Sequence, residues 1–189
     1  MIVDAFTFLN EKELVELRVK YLGDIVDYFL IVEADVTHTG KEKKWNFPEI
    51  LNTSLKEFSN KIHYHQMKGD LKNAHAGKSH NYKSETWSRA WRVDTIQRNF
   101  LKEAYNQLPP SNDIIIISDL DEIPSKNKIS FIKSCDLKVI AQVTFNHALF
   151  YLDCNYLTLK RWLGSIVITK ELMDKYEHQV FRDIRNRIA

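Results

Sequence analysis

Four consecutive isoleucines, Ile114 to Ile117, run straight into Ser118-Asp119-Leu120-Asp121-Glu122-Ile123-Pro124, and no other stretch constrains the chain as strongly. β-Branched residues are stiff at χ1 and favour the pleated backbone. A run with no polar position has no solvated face, so it reads as a strand covered on both sides by helices. Tyr28 to Val32 has the same character and ends in Glu33, while Ile2 to Phe8 alternates and is rich in β-formers. Helical spacing fills the intervals. Asn10 with Glu13 makes a capping-box-like start, Leu14, Leu17 and Tyr21 recur along one side, and Gly23 supplies the stop. Ile62 to Met67 reads as a weaker strand. A long helix opens at Ser84 or Thr86, with Trp87, Ala90, Trp91, Leu101, Ala104 and Tyr105 along one side, and Pro109-Pro110 ends it. A helix from about Ser125, a strand through Val139 to Phe145 and a strand near Ile166 complete the pattern. Strand, helix, strand, helix, strand is the order of an α/β sandwich with a mostly parallel sheet flanked by helices. No repeat, low-complexity tract or linker divides the 189 residues, so one domain over 1–189 is expected.

Composition removes several functional classes. Lys+Arg 27 against Asp+Glu 25 leaves +2, which provides no global field for nucleic acid or an anionic membrane. The five glycines form neither GxGxxG nor GxxxxGK[ST], which excludes the usual dinucleotide fingerprint and the P-loop. Cys135 and Cys154 make no CxxC pair and read as two reduced thiols. Met1 is followed by Ile-Val-Asp-Ala-Phe, without a basic segment or an apolar leader core. No apolar run approaches the roughly 18 residues of a membrane span. The expectation is a cytoplasmic protein with no membrane span.

In parallel sheets ligands bind off the carboxyl ends of the strands, so the polar residues just after the strands are the candidates for chemistry. Three such places stand out: Asn10-Glu11, Glu33 with the loop Thr37-His38-Thr39-Gly40-Lys41, and Asp119-Leu120-Asp121-Glu122. If the last stretch is extended, Asp119 and Asp121 share one face while Leu120 and Glu122 take the other. Two carboxylates about 5.5 Å apart repel by roughly 3 kcal/mol at an effective dielectric of 20. A hard cation such as Mn²⁺ or Mg²⁺ turns that repulsion into binding. A solvated turn that caps the next helix is the simpler alternative. An apolar strand ending in DxD also resembles the first motif of haloacid-dehalogenase-type phosphatases, with Asp119 as nucleophile. That family opens its core with this strand and follows it with Gly-Thr, whereas here 118 residues precede the motif and Gly-Thr is absent.

Between Lys68 and Lys102 eight cations face three anions, with His75, His80, Tyr82, Trp87 and Trp91 interleaved. Such a segment can hold nucleic-acid phosphates and stack bases, or place one or two arginines on a diphosphate, or be a solvated helix face.

The pieces in order resemble glycosyltransferase family 17, the family of transferases that add bisecting GlcNAc. The matching stretches are Val3 through Glu11, Leu14 through Arg18, Val26 through Glu33, Thr37 through Lys41, Gln97-Arg98-Asn99, Ile114 through Pro124, and Trp162 with Gly164. The resemblance implies a GT-A-like fold with the DxD at the carboxyl end of a central strand. It also implies a UDP-GlcNAc-type donor, a glycan acceptor, no nucleic acid, and inverting transfer. Asp119 and Asp121 correspond to the metal-binding pair, with Mn²⁺ or Mg²⁺ holding the donor diphosphate. Asn10, Glu11, Glu33, Thr39, Lys41, Arg98 and Asp119 fall on family positions near the expected donor site. Relatives also carry a Gly-Trp-His-containing segment that nothing after Arg182 matches.

An inverting transfer needs a carboxylate to take the acceptor proton, and a metal-bound pair is already occupied. Asp153 lies beyond the last-but-one strand, after His147, Phe150 and Tyr151, and is the expected base. Glu122 is expected to orient or cap, as a second catalytic candidate.

Overall fold

A computed structural model describes residues 1–37, 39–68, 85–109, 114–135, 143–150, 157–176, 178, 180 and 181, with the side chains of 85–92, 149–150 and 157–161 outside that description. Its strands are β1 (Ile2–Phe8), β2 (Tyr28–Ala34), β3 (Ile62–Met67), β4 (Ile114–Ser118), β5 (Val143–Phe150) and β6 (Leu157–Thr169). The helices are α1 (Lys12–Leu22), α2 (Phe47–Asn52), α3 (Glu85–Tyr105), α4 (Lys126–Lys133) and α5 (Lys170–Lys175), with a single 3₁₀ turn at Lys56–Phe58. No helix among the described residues is long and apolar enough to cross a membrane.

The strands form one sheet in the order β3-β2-β1-β4-β6-β5. β1 runs parallel to β2 and β4, and β2 parallel to β3, whereas β6 is antiparallel to both β4 and β5. The sheet is therefore mixed: parallel in the half that the apolar runs build, antiparallel beyond β4. Alternation divides the core in two. Ile2, Phe6, Phe8, Phe29, Ile31 and Ile116 face α1, α2 and α4, while Val3, Ala5, Leu30, Val32, Ile115 and Ile117 face α3 and α5. The apolar runs of β2 and β4 follow from that cover on both faces.

Helix α1 corrects two expectations, its inward stripe and its capping box, and keeps Gly23 as its stop. Its buried residues are Val15, Arg18, Val19 and Leu22, and the stripe of Leu17 and Tyr21 lies outward, 57% and 41% exposed. Both stripes have helical spacing; the inward one carries Arg18, the partner of buried Asp4. The N-cap is Glu11 and no side chain caps the helix, so Asn10 forms no capping box. Gly23 ends the helix at φ −62°, without a left-handed cap. Its missing Cβ matters for space, since a Cβ there would stand 2.4 Å from the Phe58 ring. At the other end of the chain, β5 begins at Val143; the expected start at Val139 lies outside the described residues.

Edge strand β3 carries a pH response. His63 packs edge-on against the Tyr28 ring at 4.8 Å. Burial holds the His63 imidazole below the ordinary histidine value; burial, and then the charge of His63, do the same for His65. The unfolded chain therefore binds protons near pH 6.5 before the folded chain does. The associated stability is present above about pH 6.5 and is lost as the pH falls below it. Melting curves between about pH 7.5 and 5.5 should show a falling Tm, with a shallower slope when His63 and His65 are both changed to Gln. An unchanged slope in that double variant would assign the response to other groups.

Candidate functional site

The chain leaves β4 at Ser118 and turns at once. The Glu122 N–H donates to the Asp119 carbonyl at 3.1 Å, which closes a tight turn over Asp119–Glu122. The extended geometry expected from the sequence is thereby corrected: Asp119 and Asp121 are not same-face neighbours on a strand. Asp119 points toward α3, where its Oδ1 accepts from Arg98 Nη2 at 2.8 Å and Nε at 3.3 Å. Asp121 is exposed, and Leu120 is buried in the core below. The Asp121 carboxyl is held above the usual carboxylate range, first by desolvation, then by the charges of Asp119 and Glu122.

Glu122 also departs from the extended picture. It is 4% exposed and folds back under the turn. Its Oε2 accepts the Asp119 N–H at 3.1 Å and its Oε1 accepts the Trp162 indole N–H at 2.9 Å. Its backbone carbonyl accepts the Ser165 hydroxyl at 2.6 Å. Glu122 is a brace between the turn and β6.

Sequence reasoning missed the group that holds the turn from the other side. Arg18 of α1 and Asp4 of β1 are both 0% exposed. Arg18 Nη2 and Nε donate to the two Asp4 carboxylate oxygens at 2.6 and 2.8 Å, a bidentate pair. The remaining donors reach the turn: Nη1 binds the carbonyls of Asp119 and Leu120 at 2.8 and 3.0 Å, and Nη2 binds the Ser118 hydroxyl at 2.5 Å. A lone Asp inside the apolar strand Ile2-Val3-Asp4-Ala5-Phe6 was the available signal, because a charge at a fully covered position demands a partner.

Helix α3 supplies the third support. Arg98 is 6% exposed and also pairs with Asp94 one turn earlier. Beside it, buried Gln97 donates from Nε2 to the Phe8 and Val32 carbonyls at 3.2 and 3.0 Å, tying the helix to the carboxyl ends of β1 and β2. Within the described side chains the basic segment contributes Lys68, Arg98 and Lys102; residues 69–84 and the side chains of 85–92 lie outside them.

The remaining candidates occupy the same edge of the sheet on neighbouring strands. Parallel pairing brings the ends of β2, β1 and β4 side by side, about 5 Å per strand. Asn10 and Glu11 follow β1; both are exposed, and Glu11 Oε2 accepts the backbone N–H of Leu9 and Asn10 at 3.2 and 3.0 Å. Thr39 and Lys41 stand exposed on a tight hairpin closed by the Thr37–Lys41 backbone bond of 2.8 Å, with Gly40 at φ 79°. That left-handed position favours glycine. Glu33 is set apart from the other candidates. It is fully buried within β2, accepting from Lys43, the Tyr64 hydroxyl and the backbone N–H of Asn46 and Phe47. Burial and that bond to Glu33 push the Tyr64 hydroxyl above its ordinary value. Glu33 therefore anchors the loop after β2 from below. Asp153 lies outside the described residues.

Beyond Ile166, the partner of Ile117, β6 continues past the end of β4 with β5 alongside it. This two-stranded arm carries Trp162 over the acidic turn. Opposite it on β5 is His147, whose Nε2 accepts the Ser165 N–H at 3.2 Å. Gly164 makes room for that imidazole, since a Cβ there would lie 2.4 Å from its Cδ2.

Among the described residues, no group of three or more His, Cys, Asp or Glu side chains could hold a metal by protein ligands alone. The turn itself offers two carboxylates, Asp119 beside Arg98 and the exposed Asp121. Their oxygens suit Mg²⁺ or Mn²⁺, which complete their shells with water and phosphate. Asp119 and Glu122 add like charge to the desolvation that raises the Asp121 carboxyl.

Residues 1–185 match the sequence profile of glycosyltransferase family 17. Over 139 residues, 71% of this chain, it is 27% identical to a Rattus norvegicus protein named β-1,4-mannosyl-glycoprotein 4-β-N-acetylglucosaminyltransferase, and equally so to the Homo sapiens protein of that name. The match takes in 24% of each relative, so the chain spans about a quarter of the length of the curated relatives it matches. The crystal structure of 4-diphosphocytidyl-2C-methyl-D-erythritol synthase from Anaerococcus prevotii aligns with a TM-score of 0.47 at 11% identity, over 93% of this chain and 74% of that one.

Proposed function

The chain belongs to glycosyltransferase family 17, and from that premise we propose that it moves a sugar, GlcNAc first among the candidates, from a UDP-linked donor to a glycan hydroxyl with inversion. The acidic turn at the carboxyl end of β4 is the observation that carries this reading: a braced backbone presents Asp119 and an exposed Asp121 whose mutual repulsion a cation relieves. Mn²⁺ or Mg²⁺ held there would supply charge neutralisation at the leaving diphosphate.

The chain's own residues do the rest. Arg18 and Glu122 hold the turn's backbone, so the two carboxylates need not reorganise when the donor arrives. Arg98 pairs with the Asp119 carboxylate, and its guanidinium can also contact a phosphate oxygen. Asn10, Glu11, Thr39 and Lys41 line the neighbouring strand ends, where the nucleoside would extend. Both oxygens of Glu122 are engaged, which supports an orienting role over proton transfer. Asp153 is the proposed base.

Thermal melting with UDP, UDP-GlcNAc and other nucleotide sugars, each with and without Mn²⁺, tests the reading. Nucleotide and cation together should raise Tm by more than the sum of their separate effects, as linked binding to the folded state requires. A Tm that ignores every nucleotide would remove the donor assignment.

A further inference from the structure

The indole of Trp162 is held in place and partly exposed. Its ring stands on the arm that β5 and β6 extend past the end of β4, four residues beyond Ile166, roughly 13 Å along the strand. The residue is 40% exposed, although a tryptophan buries more apolar surface than almost any other side chain when the core takes it in. Its orientation comes from a hydrogen bond: the indole N–H donates to Glu122 Oε1 at 2.9 Å, and the other oxygen of that buried carboxylate accepts the Asp119 N–H. One carboxylate thus connects the aromatic face to the turn proposed to receive the donor diphosphate. On the facing strand, His147 is fixed by the Ser165 N–H and by the space over Gly164.

A flat aromatic face that is rigid before a ligand arrives loses little entropy on binding. The ligand chemistry that matches it is a pyranose ring. Such a ring has an apolar patch of C–H groups on one side and hydroxyls around its rim, suiting an apolar face with polar groups beside it. We infer that Trp162 is the stacking platform for one pyranose ring beside the acidic turn. The assignment rests on the donor reading only for its location. The ring could belong to the transferred sugar or to the acceptor, and both sources offer the same C–H face.

Calorimetric titration of the full chain separates them. The probes are UDP, UDP-GlcNAc (both with Mn²⁺) and a mannose-terminated N-glycan core oligosaccharide, against wild type, Trp162→Phe and Trp162→Ala. UDP affinity, measured for each variant, is the reference for the saccharide probes, because Trp162 also bonds to the Glu122 that braces the turn. If the ring is the donor's, Trp162→Ala erases the advantage of UDP-GlcNAc over UDP. If it is the acceptor's, the oligosaccharide binds about tenfold more weakly or worse. Trp162→Phe keeps a ring while losing the bond to Glu122, so it should retain most of the saccharide affinity. Fluorescence provides a second readout that does not depend on the alanine variant folding: the wild-type minus Trp162→Phe difference spectrum should shift on saccharide addition. Saccharide affinities that are equal in wild type and Trp162→Ala, or a difference spectrum silent to every saccharide, overturn the platform. A wild-type chain that takes the oligosaccharide through Trp162 but ignores UDP would instead remove the donor reading and leave the platform standing.

Discussion

Replacing Arg18 with methionine is expected to lower stability by about 3–5 kcal/mol, the usual result of stripping one partner from a buried ion pair. The loss has two parts. The Asp4 carboxylate, 0% exposed, is left without its bidentate partner. The Ser118 hydroxyl and the carbonyls of Asp119 and Leu120 also lose a donor. A second substitution separates the parts. Asp4→Val with Arg18→Met removes the stranded charge and should recover a large share of the stability. The turn still lacks its donor in that pair of changes, so the Tm response to Mn²⁺ and UDP should stay lost. Urea melts with and without these ligands check both claims. Recovery of stability and ligand response together in the double variant would reduce Arg18 to a packing residue.

Asp121→Asn should give the opposite pattern: an intact fold and a missing response. The carboxyl of Asp121 is raised, so its ionised form is disfavoured in the folded chain, and removing the charge relieves repulsion from Asp119 and Glu122. The ligand-free variant should therefore melt at or slightly above the wild-type temperature. At ligand concentrations near 100 times Kd, wild type gains about 2.7 kcal/mol, or roughly 5–10 °C for a domain of this size. Asp121→Asn should lose nearly all of that gain, and transfer to a glycan should fall by about two to three orders of magnitude. A wild-type-sized shift would place the cation elsewhere. Because the ligand-free fold of this variant is expected to be sound, a lost shift cannot be attributed to unfolding, as it can be for Arg18→Met.

The strands and their order were legible in the sequence because their cause is local. Ile114–Ile117 and Tyr28–Val32 have no polar position, so they can only be strands covered on both faces, and that already places Asp119 at the working edge of a sheet. The joint order of short motifs from Val3 to Gly164 carried the family. Periodicity alone could not choose between the two stripes of α1, since both have helical spacing; Leu17 and Tyr21 lost to Val15, Arg18, Val19 and Leu22. Nor could it show that β6 would run antiparallel and carry β5 past the sheet edge.

The candidate site depended on tertiary structure for a plain physical reason: its hydrogen bonds join residues far apart in the chain. Arg18 reaches Asp119 across 101 positions, Gln97 reaches Phe8 across 89, and Trp162 reaches Glu122 across 40. Within the acidic stretch itself, the backbone bond from Glu122 to Asp119 replaced the extended run with a turn, which sent Asp119 to Arg98, Asp121 to solvent and Glu122 inward. The sequence by itself determined which residue types stand at the sheet's carboxyl edge, because alternation and apolar runs are properties of neighbouring residues. Which of those side chains face one another, and which serve only to hold the others, was decided by packing, because a buried charge or amide takes whichever partner the fold brings within hydrogen-bond reach.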